Sequence, residues 1–367
     1  MILPVLFYFF VAFSVIQIIY YVVFSTFLFN SKKEEKKVAE IPVSVIVCAK
    51  NEAKNLKKFL PSIIEQDYSN FEIVLINDAS SDNTHEVMEA FKAKNSNIKI
   101  INVKNIEAFW GNKKYALTLG IKAAENEHLL FTDADCKPVS RNWISEMSKK
   151  FSSQKTIILG YGKYKKEKKL VNLFVRFETL LTAMQYFSFA KLGSPYMAVG
   201  RNLAYTKTEF FNVKGFVNHM HIRSGDDDLF IKDAANKENT VICTSENSFT
   251  ISKAPTSFKE WFLQKRRHIS TANHYKFKHK FFLALFFISK VLFFLLAITL
   301  FSFYPWEIIT SVLVGYYLIQ FLVVGFSAKK LKETQIIYFL PFLEIGLLLI
   351  QFSIFITNLI SKPNHWK

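Results

Sequence analysis

His128-Leu129-Leu130-Phe131-Thr132 runs directly into Asp133-Ala134-Asp135, and that junction decides the fold. A short apolar run bounded by turn residues reads as a strand, and the two carboxylates stand just past its carboxyl end. Upstream, the same pattern recurs. Val43-Ser44-Val45-Ile46-Val47 precedes a helical spacing from Glu52 to Ile64, Phe71-Glu72-Ile73-Val74-Leu75-Ile76 precedes the turn-rich Asn77 to Asn83, and Ile98 to Val103 supplies a further run. Strands alternating with helices give an α/β unit with a mostly parallel sheet. Ligands of such sheets sit beyond the carboxyl ends of the strands, where all of the polar motifs fall.

Residues two apart on an extended chain project to one side, so Asp133 and Asp135 can share one divalent cation. Oxygen ligands select a hard ion, Mg²⁺ or Mn²⁺, suited to neutralising a nucleotide diphosphate. The plain alternative for an Asp-x-Asp is an exposed turn. Asp78 ends the second strand, placed to accept hydrogen bonds from a nucleoside, with Asn51-Glu52 at the end of the first; Asp and Asn also serve as ordinary turn and cap residues. Downstream, Gly225-Asp226-Asp227-Asp228-Leu229 puts three carboxylates in a row. Like charges this close raise one another's pKa, one way to make a general base for an acceptor hydroxyl.

Half of the 367 residues are hydrophobic and 39 are Phe, too apolar for a wholly soluble chain. The apolar residues concentrate at the two ends. Residues 1–29 carry no charge and can cross a hydrocarbon core of about 30 Å as a helix. With no basic residue ahead of the run and no small-residue cleavage site after it, the segment is expected to be a retained anchor rather than a signal peptide. Phe281–Phe303, Trp306–Ala328 and Ile336–Ile360 make four spans in all. Lys32, Lys33, Lys36 and Lys37 after the first span, and Lys329, Lys330 and Lys332 after the third, then fall together on the cytoplasmic side. The net charge of +17 is explained by these membrane-flanking cations, which meet lipid headgroups, so no nucleic-acid partner is expected. Cys48, Cys136 and Cys243 are too few and scattered for a disulfide framework, in keeping with a reducing cytoplasm.

In order along the chain, these motifs resemble those of the family 2 glycosyltransferases, inverting enzymes with a GT-A fold. The resemblance runs from about Val43 to Ser270. Val43 to Val47 with Lys50-Asn51-Glu52 is similar to the family's opening strand and base loop, and Asp78 to its nucleoside-contacting aspartate. Lys113-Lys114-Tyr115-Ala116-Leu117 after Gly111 resembles the segment whose lysine approaches the donor. Asp133-Ala134-Asp135 matches the metal motif, and Gly200-Arg201-Asn202 opens the acceptor-side loop. Asp226-Asp227 falls where the family carries Glu-Asp; ungapped alignment gives Asp227 the role of base, and a shift of one residue gives it to Asp226. Gln264-Lys265-Arg266-Arg267-His268 resembles the Gln-x-x-Arg-Trp motif of processive members, so Gln264, Arg266 and Arg267 would bind donor diphosphate. His268 in place of Trp removes the stacking platform and argues against processivity.

The resemblance implies a bacterial inner-membrane enzyme, with its catalytic domain in the cytoplasm, that moves a sugar from a nucleotide sugar, UDP-linked by expectation, to a hydroxyl of a glycan or lipid-linked acceptor. Alternatives are a polyprenyl-phosphate sugar synthase and a non-catalytic scaffold of a surface-polysaccharide complex. The expected plan is an anchor at 1–30, a GT-A domain at 41–253, an interfacial region at 254–280 and three spans within 281–361. Leu170 to Leu192 reads as an interfacial or core-facing helix, and Phe258, Trp261 and Phe262 beside Lys259, Lys265 and Arg266 as an interfacial one. Lys290 and Glu344 lie inside apolar spans, where an isolated charge is costly, so they are expected to pair.

Overall fold

The structure is a computed structural model; it describes residues 2–29, 40–104, 113–222 and 224–361. The basic linker with Lys32, Lys33, Lys36 and Lys37, and Gly111, lie outside the described residues. The chain divides into two compact units, one of residues 32–168 and 190–256, the other of residues 1–31, 169–189 and 257–363.

In the first unit the expected strands form as β1 (Val43–Ala49), β2 (Phe71–Asp78), β3 (Ile98–Val103) and β4 (His128–Asp133). Shorter ones follow: β5 (Cys136–Pro138), β6 (Ile157–Leu159), β7 (Gly162–Tyr164), β8 (Leu203–Thr206), β9 (Thr240–Ile242) and β10 (Thr250–Ser252). The main sheet has the order β3-β2-β1-β4-β8-β6-β9, and β5, β10 and β7 make a second sheet. β1 to β4 run parallel, whereas β8 is antiparallel to both β4 and β6. Parallel pairing of β4 beside β1, in register Val47↔Thr132 and Cys48↔Asp133, brings the polar ends of the first two strands level with Asp133.

The helices α2 (Ala53–Phe59), α3 (Pro61–Ile64), α4 (Thr84–Lys92), α5 (Lys113–Ala123), α6 (Trp143–Ser148), α8 (Lys207–Asn212) and α9 (Asp228–Ala234) complete this unit. The helical spacing from Glu52 to Ile64 is thus split in two at Pro61, whose ring removes an amide hydrogen. Val45, Val47, Ile73 and Leu75 meet Leu56, Met88, Trp143 and Ile144 in one core on the opposite sheet face from α5. Gly120 lets α5 approach β2, since a Cβ there would lie 2.2 Å from Ile76 Cδ1.

The second unit holds α1 (Ile2–Phe24), α7 (Leu170–Lys191), α10 (Phe258–Ala272), α11 (Phe277–Leu300), α12 (Trp306–Lys330) and α13 (Leu340–Ile360). α1, α11, α12 and the segment containing α13 are each long and apolar enough to cross a membrane. α1 lies against α11 through Tyr20, whose hydroxyl donates to the Phe282 carbonyl at 2.7 Å, and through stacked Phe10 and Phe293. α7 packs within this unit, although its sequence interrupts the α/β one: Ser188 donates to the Phe24 carbonyl, and Arg176 Nε donates to the buried Glu333 at 2.8 Å.

The expected pair forms. Lys290 Nζ meets Glu344 Oε1 at 2.7 Å, and the same carboxylate accepts from the hydroxyls of Tyr21 and Tyr316. Gln320 donates to Tyr21, so α1, α11, α12 and α13 each contribute to one buried polar cluster.

Candidate active site

The site lies where β1, β2 and β4 end and β8 begins, and two interlocked loops build one side of it. Asn51 takes a left-handed backbone with φ 58°, which Asn tolerates better than most residues. Its side-chain oxygen accepts from the Ser81 amide at 2.8 Å, while Ser80 accepts from the Asn51 amide and Asp82 from the Ala53 amide. Glu52 accepts from Asn55 and is raised by burial. Asn51 therefore spends its carboxamide oxygen locking the β1 loop to the β2 loop. Asp78, buried at the end of β2, has no hydrogen bond to its side chain among the described residues; burial raises its carboxyl, opposed by Lys50 and Lys113.

Lys113, at the first turn of α5, joins the two acidic motifs. Its ammonium lies 2.9 Å from Asp133 Oδ1 and 3.0 Å from Asp226 Oδ2. Burial would lower this lysine, but Asp133 and then Asp226 outweigh it and hold its pKa well above the ordinary value. Burial likewise pushes Asp226 up, and Lys113 more than reverses that, leaving Asp226 lowered. The adjacent Asp227 is different. Burial, and then the charge of Asp226, push it up to about 6. Its two oxygens accept from the backbone amides of Gly200 and Asp228, each at 2.8 Å, so it caps α9 and ties down the Gly200 turn.

A small cavity opens behind these groups, lined by Lys113, Asp133, Asp226, Asp227 and, from the sheet, Cys48 and Tyr205. The Tyr205 ring stacks on Phe131 with centroids 4.4 Å apart. Tyr205 closes the acceptor-side loop that begins at Gly200, whereas no sequence motif singled out Cys48; alternation along β1 is the signal that would have found it.

Asp133, Asp135 and Cys136 offer ligand atoms within 4.8 Å of one another. Burial and the neighbouring Asp133 raise the Asp135 carboxyl, so a cation shared by the two would relieve like-charge repulsion. The Cys136 thiol, held well above its usual range by burial, remains a neutral donor to Asp135 Oδ1 at 3.3 Å. Two hard carboxylates with a protonated thiol behind them fit Mg²⁺ or Mn²⁺ and not a soft metal.

The acceptor-side expectation meets a different use of its residues. Asn202 is wholly buried, donates to the carbonyls of Tyr161 and Ser248 and accepts from the Trp143 indole; it braces the fold. Arg201 donates to the Gly162 carbonyl and the Tyr164 hydroxyl, with its guanidinium 4.4 Å from the Tyr164 ring centroid. Gly200 remains at the cavity wall. Gln264, Arg266 and Arg267 lie on α10 in the helical unit. There Arg266 is engaged by α13, donating to Asn358 Oδ1 and to the Ser361 carbonyl.

Comparison with known proteins agrees with this geometry. The profile described as glycosyl transferase family 2 matches residues 44–224. The glycosyltransferase GlyG of Streptococcus pneumoniae is 31% identical over 93 residues, 25% of this chain and 30% of that protein. The poly-beta-1,6-N-acetyl-D-glucosamine synthase of Staphylococcus epidermidis is 38% identical over 104 residues, 28% of this chain and 24% of the synthase. The chain thus matches about a third or less of either relative. In fold it is similar to a mannosyltransferase, PcManGT of Pyrobaculum calidifontis, solved with GDP-Man and Mn²⁺: TM-score 0.59 at 15% identity, covering 95% of this chain and 99% of that one.

Proposed function

Residues 44–224 belong to glycosyl transferase family 2, and on that footing we propose that the chain is a membrane-attached glycosyltransferase that moves a sugar from a nucleotide sugar to a hydroxyl of a glycan or lipid-linked acceptor, with inversion. One observation carries the reading. Lys113 bridges Asp133 of the metal motif and Asp226 of the acidic triplet, so a cation for the leaving diphosphate and a carboxylate for the incoming hydroxyl face one cavity.

Asp226 is the proton acceptor and Asp227 its positioning residue. Asp227 has an amide on each oxygen, whereas Asp226, its carboxyl lowered by Lys113, is bound to that lysine through one oxygen. In the reaction Asp226 takes the hydroxyl proton, the acceptor oxygen bonds to the anomeric carbon, and the bond to the nucleoside diphosphate breaks. Lys113 neutralises charge on the departing diphosphate. Asp78 receives the nucleoside. Asp133 and Asp135 would hold a divalent cation, which would supply further Lewis-acid neutralisation there. The domain faces the cytoplasm of a bacterial cell: Lys330, in the basic run ending α12, donates to the Phe27 and Leu28 carbonyls just after α1, and a basic end of α12 beside the end of α1 supports that orientation under the positive-inside rule.

The test uses the purified full chain with Mn²⁺ and a panel of UDP- and GDP-sugars, reading released nucleoside diphosphate. One donor should stand out. Asp226→Asn should lower kcat by at least about 100-fold, the lower end of what general-base catalysis supplies, while Asp227→Asn lowers it less and destabilises the domain. Full activity in Asp226→Asn would point instead to a phosphate acceptor, which needs little base catalysis.

A further inference from the structure

We propose that α13, which has the length and composition of a span, does not cross the membrane but lies within one face of it, so that the protein crosses three times.

Four helix ends fix a common side of the helical unit. Tyr20 of α1 reaches the Phe282 carbonyl and Phe24 of α1 contacts Phe286, which sets the end of α1 beside the start of α11. Lys330 binds the Phe27 and Leu28 carbonyls, which adds the end of α12. A single 3₁₀ segment, Thr334–Phe339, then leads into α13, whose start is on this side too.

The far end of α13 returns to the same side. Asn358 and Ser361 both accept hydrogen bonds from Arg266, the first at 2.8 Å. Arg266 lies on α10 six residues before its end at Ala272, about 9 Å along the axis, and only residues 273–276 separate that end from α11. Arg266 is therefore tethered near the start of α11. If α13 crossed, its 21 residues would carry Ser361 about 30 Å from its starting face, well beyond the reach of that guanidinium.

Contacts along the helix agree. Phe174 of α7 packs against Phe342, and its ring would lie 2.5 Å from a Cβ at Gly346; α10 meets the same ring through Phe258 and Trp261. α7, α10 and α13 thus form a platform on one face of the bundle. α13 buries a single stripe, Leu340, Leu343, Glu344, Leu347 and Ile354. Its exposed side chains, including Phe342, Leu349, Phe352, Phe355 and Leu359, are apolar except for Ser353, whose hydroxyl is spent on the Leu349 carbonyl. Their partner is the acyl region of a single leaflet, because Glu344 is the one charge on the helix and it points into the bundle.

The inference is tested by sidedness in the full chain. One epitope goes into the turn at residues 301–305 and a second after Lys367, and antibody access is compared in intact and permeabilised spheroplasts. The two epitopes should be reached from opposite sides. A second arm replaces Ser361 and Ser302 singly by Cys and labels them with an impermeant maleimide, which should again separate them. Access to both positions from the same side would establish a fourth crossing and overturn the proposal.

Discussion

Lys113 makes the two acidic motifs one electrostatic system, and each member then behaves differently when altered. Burial, and then the charge of Asp133, raise Asp135, with Arg201 and Lys113 opposing them from a distance. Asp135→Ala should therefore abolish transfer and weaken Mn²⁺ binding by at least about tenfold, since one carboxylate with waters is a poor site for a hard cation; electron paramagnetic resonance of free Mn²⁺ reads the loss directly. Retained activity in EDTA would contradict the metal role. His219 gives a pH dependence. Burial, and then Lys114, whose ammonium donates to the His219 carbonyl, hold the imidazole down to about 4 from an ordinary 6.5. As pH falls, the unfolded chain takes up its proton first, so this residue removes stability progressively between about pH 6.5 and 4 and none above. His219→Gln should flatten the unfolding midpoint across that window. The identities of the acidic residues were legible from their spacing, but their pairing was not: Lys113 and Asp226 are far apart in sequence, and only the parallel register of β1 with β4 and the antiparallel return of β8 bring them together.

Among the elements, legibility followed hydrophobic run length. Strands β1 to β4 are six to eight residues long and stood out as apolar runs. β6 and β9 have three residues each, too few for a period, and form because β8 offers β6 an edge and β6 in turn offers one to β9. α7 was ambiguous between interfacial and core-facing because its apolar residues are spread around the helix with sparse charge, a pattern that gives little direction to its packing. Lys290 and Glu344 were legible for the opposite reason: a charge inside an apolar span demands a partner. Their pairing makes a prediction. Lys290→Ala or Glu344→Ala leaves an uncompensated charge, costing on the order of 3–5 kcal/mol, and should reduce the yield of folded protein. The double exchange Lys290→Glu with Glu344→Lys should recover much of it; recovery no better than the worse single variant would mean that Tyr21, Tyr316 and Gln320 hold the cluster without the pair.

At the scale of the whole molecule, the proposed membrane attachment accounts together for the excess of lysine and arginine and the excess of phenylalanine. The order in which the chain visits its two units matters more for handling it. After β7 it leaves the α/β unit, runs the length of α7 among the membrane helices, and returns at residue 190. No single cut separates the two parts. A gene fragment encoding residues 40–256 would carry α7 with Val175, Phe177, Leu180 and Phe187 stripped of the neighbours that bury them, and should be recovered as aggregates. The same fragment with residues 169–189 exchanged for a flexible Gly/Ser tether should be monodisperse in size-exclusion chromatography. The membrane portion is thus threaded through the enzyme like a stitch, so that lineages exchanging one part between proteins would have to exchange three pieces of sequence at once.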